Sequence, residues 1–244
     1  LQNRILKIRL QRRILTSAQI NKENTHSCDI YMIVSVLTGD IVNSSKIPDA
    51  GVSLMKSLDK FLNQQKKNYP DIKFEIYRGD AFQIVLFQPE LVIKLATLIR
   101  TFVISSSPTP TQRYDVRISI GLGTADKLDS KVTWSNGQAF IFSGHGLDKI
   151  KIKERLVFKS GDEQLNSDMF ISTTALSVII SQWTLKRAKI ALTMMLGESR
   201  EDICKKFKIL TTTLSTSLSG SNYSEMQKII EWSEDRIKMY TEEL

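Results

Sequence analysis

Cysteine is nearly missing from this 244-residue chain: the two present, Cys28 and Cys204, stand far apart and outside any metal-ligand spacing. That argues against a disulfide scaffold and a cysteine-based zinc site, and makes a reducing cytoplasm the expected compartment. No apolar run is long enough to span a bilayer. Internal repeats and low-complexity tracts are not evident. What remains is an ordinary globular composition, 41% hydrophobic and 25% charged, long enough for one large domain or two small ones.

The net charge of +8 is unevenly spread. Residues 1–31 carry six bases (Arg4, Lys7, Arg9, Arg12, Arg13, Lys22) against two acids, Glu23 and Asp29, which is half of the excess. The body is only mildly basic, so charge alone gives weak support for a polyanion partner. Leu1 to Ile20 has the spacing of a basic amphipathic helix, a pattern that suits an anionic membrane or RNA, and lacks the apolar core of a secretory signal. The plainer expectation for 1–31 is an untethered tail, or translated sequence upstream of a start at Met32.

Periodicity sets out the body. Residues 31–42 form a near-continuous apolar run, the pattern of a buried strand. Residues 49–69 predict a helix, with Leu54, Met55, Leu58, Phe61 and Leu62 at helical spacing and Pro70 behind. Two alternating runs, 72–77 and 82–87, flank Arg78-Gly79-Asp80-Ala81, a hairpin signal. A helix over 89–103, a Ser/Pro/Thr loop, a strand over 114–121, a helix over 138–150 and a last strand at 156–158 complete this part. The order β-α-β-β-α-β predicts an α+β fold, a ferredoxin-like palm whose antiparallel sheet carries its helices on one face. The expected division is a leader at 1–31, a palm domain at 32–165 and an all-α unit at 172–244.

Two aspartates, Asp40 and Asp80, each follow a glycine at a strand-to-turn junction. Paired carboxylates at a sheet rim suit Mg²⁺, which binds one or two carboxylates together with substrate phosphates. Four segments, Gly39-Asp40-Ile41-Val42-Asn43-Ser44, Arg78-Gly79-Asp80-Ala81-Phe82, Arg117-Ile118-Ser119-Ile120-Gly121-Leu122-Gly123 and Asn136-Gly137-Gln138-Ala139-Phe140, together resemble the class III nucleotidyl cyclases and their GGDEF relatives. More closely, Thr38-Gly39-Asp40-Ile41-Val42 with Ser44 and the helical C-terminal part resemble the SatD family, a cyclase-like domain joined to a helix-turn-helix.

The resemblance implies a purine nucleoside triphosphate held with Mg²⁺ or Mn²⁺. Asp40 and Asp80 would be the catalytic, metal-holding pair, helped by the carbonyl of Ile41. Amides from Ile41 through Val42, Asn43 and Ser44 would cradle the phosphates, with Lys46 as a nearby cation and Gly79 in the facing turn. A homodimer is implied in the same way. Two departures count against cyclisation. The family's ribose-binding Asn falls at Ile141, which cannot hydrogen-bond, and its transition-state Arg falls at His145, a weaker and pH-dependent cation. The SatD-like arginine is Ser45 here.

In the C-terminal part, a helix over 183–196, a helix capped by Ser199, a turn at 208–210 and a short helix over 212–218 capped by Thr211 have the layout of a helix-turn-helix, followed by a long helix over 223–240. The recognition residues would be Thr211, Thr212, Thr213, Ser215 and Thr216. This stretch lacks Arg and Lys, the usual carriers of phosphate and guanine contacts. Three readings stay open: a nucleotide-binding regulator that contacts DNA, an active cyclase or related phosphoryl-transfer enzyme, and a non-catalytic scaffold.

Overall fold

The computed structural model describes residues 32–244, so the expectations for 1–31 lie outside the described residues. Five strands form one mixed sheet in the order β2-β3-β1-β4-β5. They are β1 Met32–Ile41, β2 Lys73–Tyr77, β3 Ala81–Leu86, β4 Val116–Ala125 and β5 Leu156–Lys159. The β1–β3, β1–β4 and β2–β3 pairs are antiparallel, and β5 joins β4 in parallel.

Three helices belong to this part: α1 Val52–Gln65, α2 Val92–Ser105 and α3 Gln138–Lys149. Both α1 and α2 start later than periodicity alone suggests, because 3-10 turns at Pro48–Gly51 and Pro89–Leu91 precede them. Proline suits such first turns, having no N–H to leave unpaired.

The helices do not share one face. Leu37, Ile41, Phe82, Ile84, Ile118 and Ile120 pack with α1 and α2, whereas Val34, Val36 and Val85 pack with Ala139 and Phe140 of α3. The two helices of the β-α-β-β-α-β order, α1 and α2, thus share one face, and α3, which follows that order, takes the other. A strand that is apolar at nearly every position must be covered on both sides. Helix α3 seats backbone against backbone on β4: a Cβ on Gly121 would lie 2.0 Å from the Ala139 carbonyl, and one on Gly123 would lie 3.0 Å from Gln138.

Five further helices follow: α4 Glu163–Ser181, α5 Leu185–Met195, α6 Arg200–Phe207, α7 Thr211–Gly220 and α8 Tyr223–Glu243. The helical section thus begins at Glu163, and α4 packs on β5 while α5 packs on α2. One apolar core runs from Leu37 and Ile99 through Leu176 and Trp183 to Ile203 and Ile237, and residues 32–244 form one compact unit. Ser199 caps α6 as expected, its hydroxyl accepting the Asp202 amide. Thr211 does not cap α7; it is the first helical residue, and Leu210 takes the cap position without a side-chain bond. Among the described residues no helix is long and apolar enough to cross a membrane.

Candidate functional site at the rim of the sheet

The end of β1, which carries Asp40, meets the β2–β3 turn, which carries Asp80, through the backbone. The Ile41 amide donates to the Asp80 carbonyl at 3.0 Å, and Asp40 stands opposite Ala81 in the β1–β3 register. Arg78 and Gly79 both take left-handed conformations (φ 54° and 81°), turning the chain sharply from β2 into β3 and delivering Asp80 to that rim. Glycine adopts this conformation without steric cost. Burial pushes the Tyr77 hydroxyl pKa up against the pull of nearby Arg78, and Asp40 and Asp80 both add to the rise. Both carboxylates therefore act on one phenol.

Each acid already has a protein partner. Arg117, directly across the β1–β4 register from Asp40, grips that carboxylate with Nε at 2.8 Å and with Nη2. The bond to Asp40 holds the guanidinium charged against the opposing effect of its partial burial. The Ser44 hydroxyl donates to Asp80 Oδ2 at 2.6 Å. Arg117 looks like a solvated strand residue in sequence; the register gives it its role.

The other predicted residues separate into two groups. Val42, Asn43 and Lys46 line a groove of about 440 Å³ beyond the end of β1, together with Arg113, Tyr114 and Arg155. Asn43 takes a left-handed conformation (φ 54°) as the chain turns out of the strand. Ile41 is buried, and Gly79 is exposed at the hairpin tip. His145 does not line this groove; it is exposed on α3, one turn beyond exposed Ile141.

The groove has a charged floor built around Asp115. Arg100 is fully buried and holds Asp115 with Nε at 2.9 Å and Nη2 at 3.1 Å. Arg155 Nε reaches the same carboxylate at 3.0 Å. Burial works to raise the Asp115 pKa; Arg100, the Val116 amide and Arg155 outweigh it and hold the carboxyl below its ordinary value. With Arg113 and Lys46 the lining is net cationic, which suits an anionic ligand. Arg100 has a sequence signal, a charge in the middle of the apolar stripe Leu95-Ala96-Ile99-Val103. Nothing in the spacing of Arg113 or Arg155 marks either residue.

Neither a protein-family model nor a curated protein matches this sequence.

In the helical section, Thr211, Thr212, Thr213, Ser215 and Thr216 are all exposed on α7. Ser215 and Thr216 turn their hydroxyls back onto the carbonyls of Thr211 and Thr212, each at 3.0 Å. Arg200, at the start of α6, reaches Ser215 Oγ at 2.8 Å, so the fold supplies beside α7 a cation that the helix itself lacks.

Proposed function

We propose that this chain binds a purine nucleoside triphosphate with Mg²⁺ or Mn²⁺ at the rim formed by Asp40 and Asp80, and that the helical section contacts DNA through α7, as the SatD resemblance implies. What supports the reading above all is the backbone bond from Ile41 to Asp80, which holds the turn carrying Asp80 against the end of β1 that carries Asp40. The donor set fits a hard cation. Two carboxylates suffice for an ion that also takes water and phosphate oxygens, although no group of three or more acidic, His or Cys ligands occurs among the described residues. When bound, the ion would neutralise phosphate charge. The chain's own residues would orient the ligand, with the phosphates along Val42–Lys46 and the cations of the groove beside them.

The finer fold reading has support of the same kind. The order β2-β3-β1-β4, antiparallel throughout, with α1 and α2 on one face, supports the ferredoxin-like palm reading. Binding without turnover is the form we favour. Exposed Ile141 and His145 offer neither the amide nor the permanent cation that cyclisation uses.

The partners that Asp40 and Asp80 already hold favour a second reading, in which both acids are structural. Equilibrium dialysis with labelled ATP and GTP in the presence of Mn²⁺ separates the two. Saturable retention lost in Asp40→Ala and in Asp80→Ala, with no cyclic product, is the expected result. A folded wild-type chain that retains neither nucleotide would leave only the structural role.

A further inference from the structure

We infer that Arg113 is a ligand-contact residue that reports occupancy of the groove to α7 through Trp183. This rests on the nucleotide reading above. Arg113 lines the groove, yet its guanidinium is turned to the end of α4: Nη2 donates to the Ile180 carbonyl at 3.0 Å and Nη1 to the Trp183 carbonyl. Trp183 is 2% exposed, and its indole Nε1 donates to the Ser221 carbonyl at 2.7 Å. Ser221 is the residue that closes α7, its amide bonded to Ser217 and Leu218. Two side chains therefore span the distance from a solvent-facing cationic groove to the end of the helix with the exposed hydroxyl row.

The acceptors that Arg113 uses at α4 are neutral carbonyls. A phosphate oxygen offers the same donors a charge-assisted bond of roughly twice the strength. One guanidinium cannot hold both sets of acceptors in full geometry, so a phosphate in the groove draws it away from α4. That competition is the differential interaction without which no ligand shifts a conformational equilibrium. Released from Arg113, the Trp183 carbonyl is free to move, and the indole–Ser221 bond passes the change to α7. Asp115 and Arg155 keep their own mutual bond at 3.0 Å, and Arg100 its bonds to Asp115, so the floor of the groove stays in place while Arg113 moves.

The full-length chain with Trp134→Phe and Trp232→Phe leaves Trp183 as the only indole. Titration with MgATP should give a saturable change in its emission, coincident with ATP binding measured by dialysis. In Arg113→Gln the emission change should be lost while ATP is still retained with a several-fold weaker affinity. Arg113→Lys, which keeps the charge without bridging both carbonyls, decides the matter if the Gln variant fails to fold by circular dichroism: its emission change should be well below that of wild type. ATP retention without any response of Trp183, or a response undiminished in the Arg113 variants, overturns the inference and leaves the nucleotide reading standing. No retention of ATP by the folded wild-type chain overturns both.

Discussion

Arg117 and Asp40 illustrate how a residue acquires its role from its opposite number. Their ion pair is about one-third exposed on the arginine side and one-quarter on the acid side (36% and 23%), so its net worth to stability is below about 1 kcal/mol. Its effect on a cation at the rim is larger, because a fixed guanidinium both occupies the carboxylate and repels the incoming ion. Arg117→Gln should therefore bind Mn²⁺ roughly tenfold more tightly, read as depletion of the free-ion spectrum by electron paramagnetic resonance, with little change in melting temperature. Equal affinity in the two proteins would mean that Asp40 is not a ligand. The acids at positions 40 and 80 were legible in the sequence as turn-flanking carboxylates, because glycine and apolar runs mark where strands end. Their partners were not legible: Arg117 meets Asp40 only through the β1–β4 register, across 77 positions of chain.

Among the elements, α3 has the strictest seating. Its backbone lies so close to β4 that a methyl group at Gly121 would meet the Ala139 carbonyl at 2.0 Å and the Ser143 amide at 2.6 Å. Gly144, on the same helix, would meet nothing within 4 Å. Gly121→Ala should cost about 3 kcal/mol through overpacking against backbone that cannot yield. Gly144→Ala should add about 0.5–1 kcal/mol by removing a helix-interior glycine. Urea unfolding of the two variants checks both signs, and a harmless Gly121→Ala would mean that α3 does not pack as described. The glycines themselves stood out in the sequence. Which face α3 covers did not, since a strand apolar at nearly every position has no polar side to point the helix away.

At the scale of the whole molecule, the buried Arg100–Asp115 pair joins the sheet to the helices. Arg100 Nη1 also reaches the Ser177 carbonyl at 3.1 Å, and its Nη2 reaches Ser181 at 2.8 Å, both on α4. Removing one partner of a buried pair strands the other charge, so Arg100→Met should cost about 3 kcal/mol or more. Because one core spans residues 32–244, far-UV circular dichroism and tryptophan emission should change together, in one transition. The pH dependence has a defined sign. A carboxyl held below its ordinary pKa in the folded state contributes stability that is full at neutral pH and is lost as pH falls through the folded value. Melting temperatures between neutral and strongly acid pH should therefore show a smaller acid loss in Asp115→Asn than in wild type. The sequence by itself determined where most strands and helices lie and that two acids stand at strand-to-turn junctions, because periodicity, glycine and proline act over a few residues. Only the tertiary structure decided that the helical section shares the sheet's core, that α3 takes the opposite face, and that four cations from separate segments (Lys46, Arg100, Arg113, Arg155) gather around Asp115 and its groove. Those outcomes depend on register and on burial between distant segments, and no local pattern carries that information.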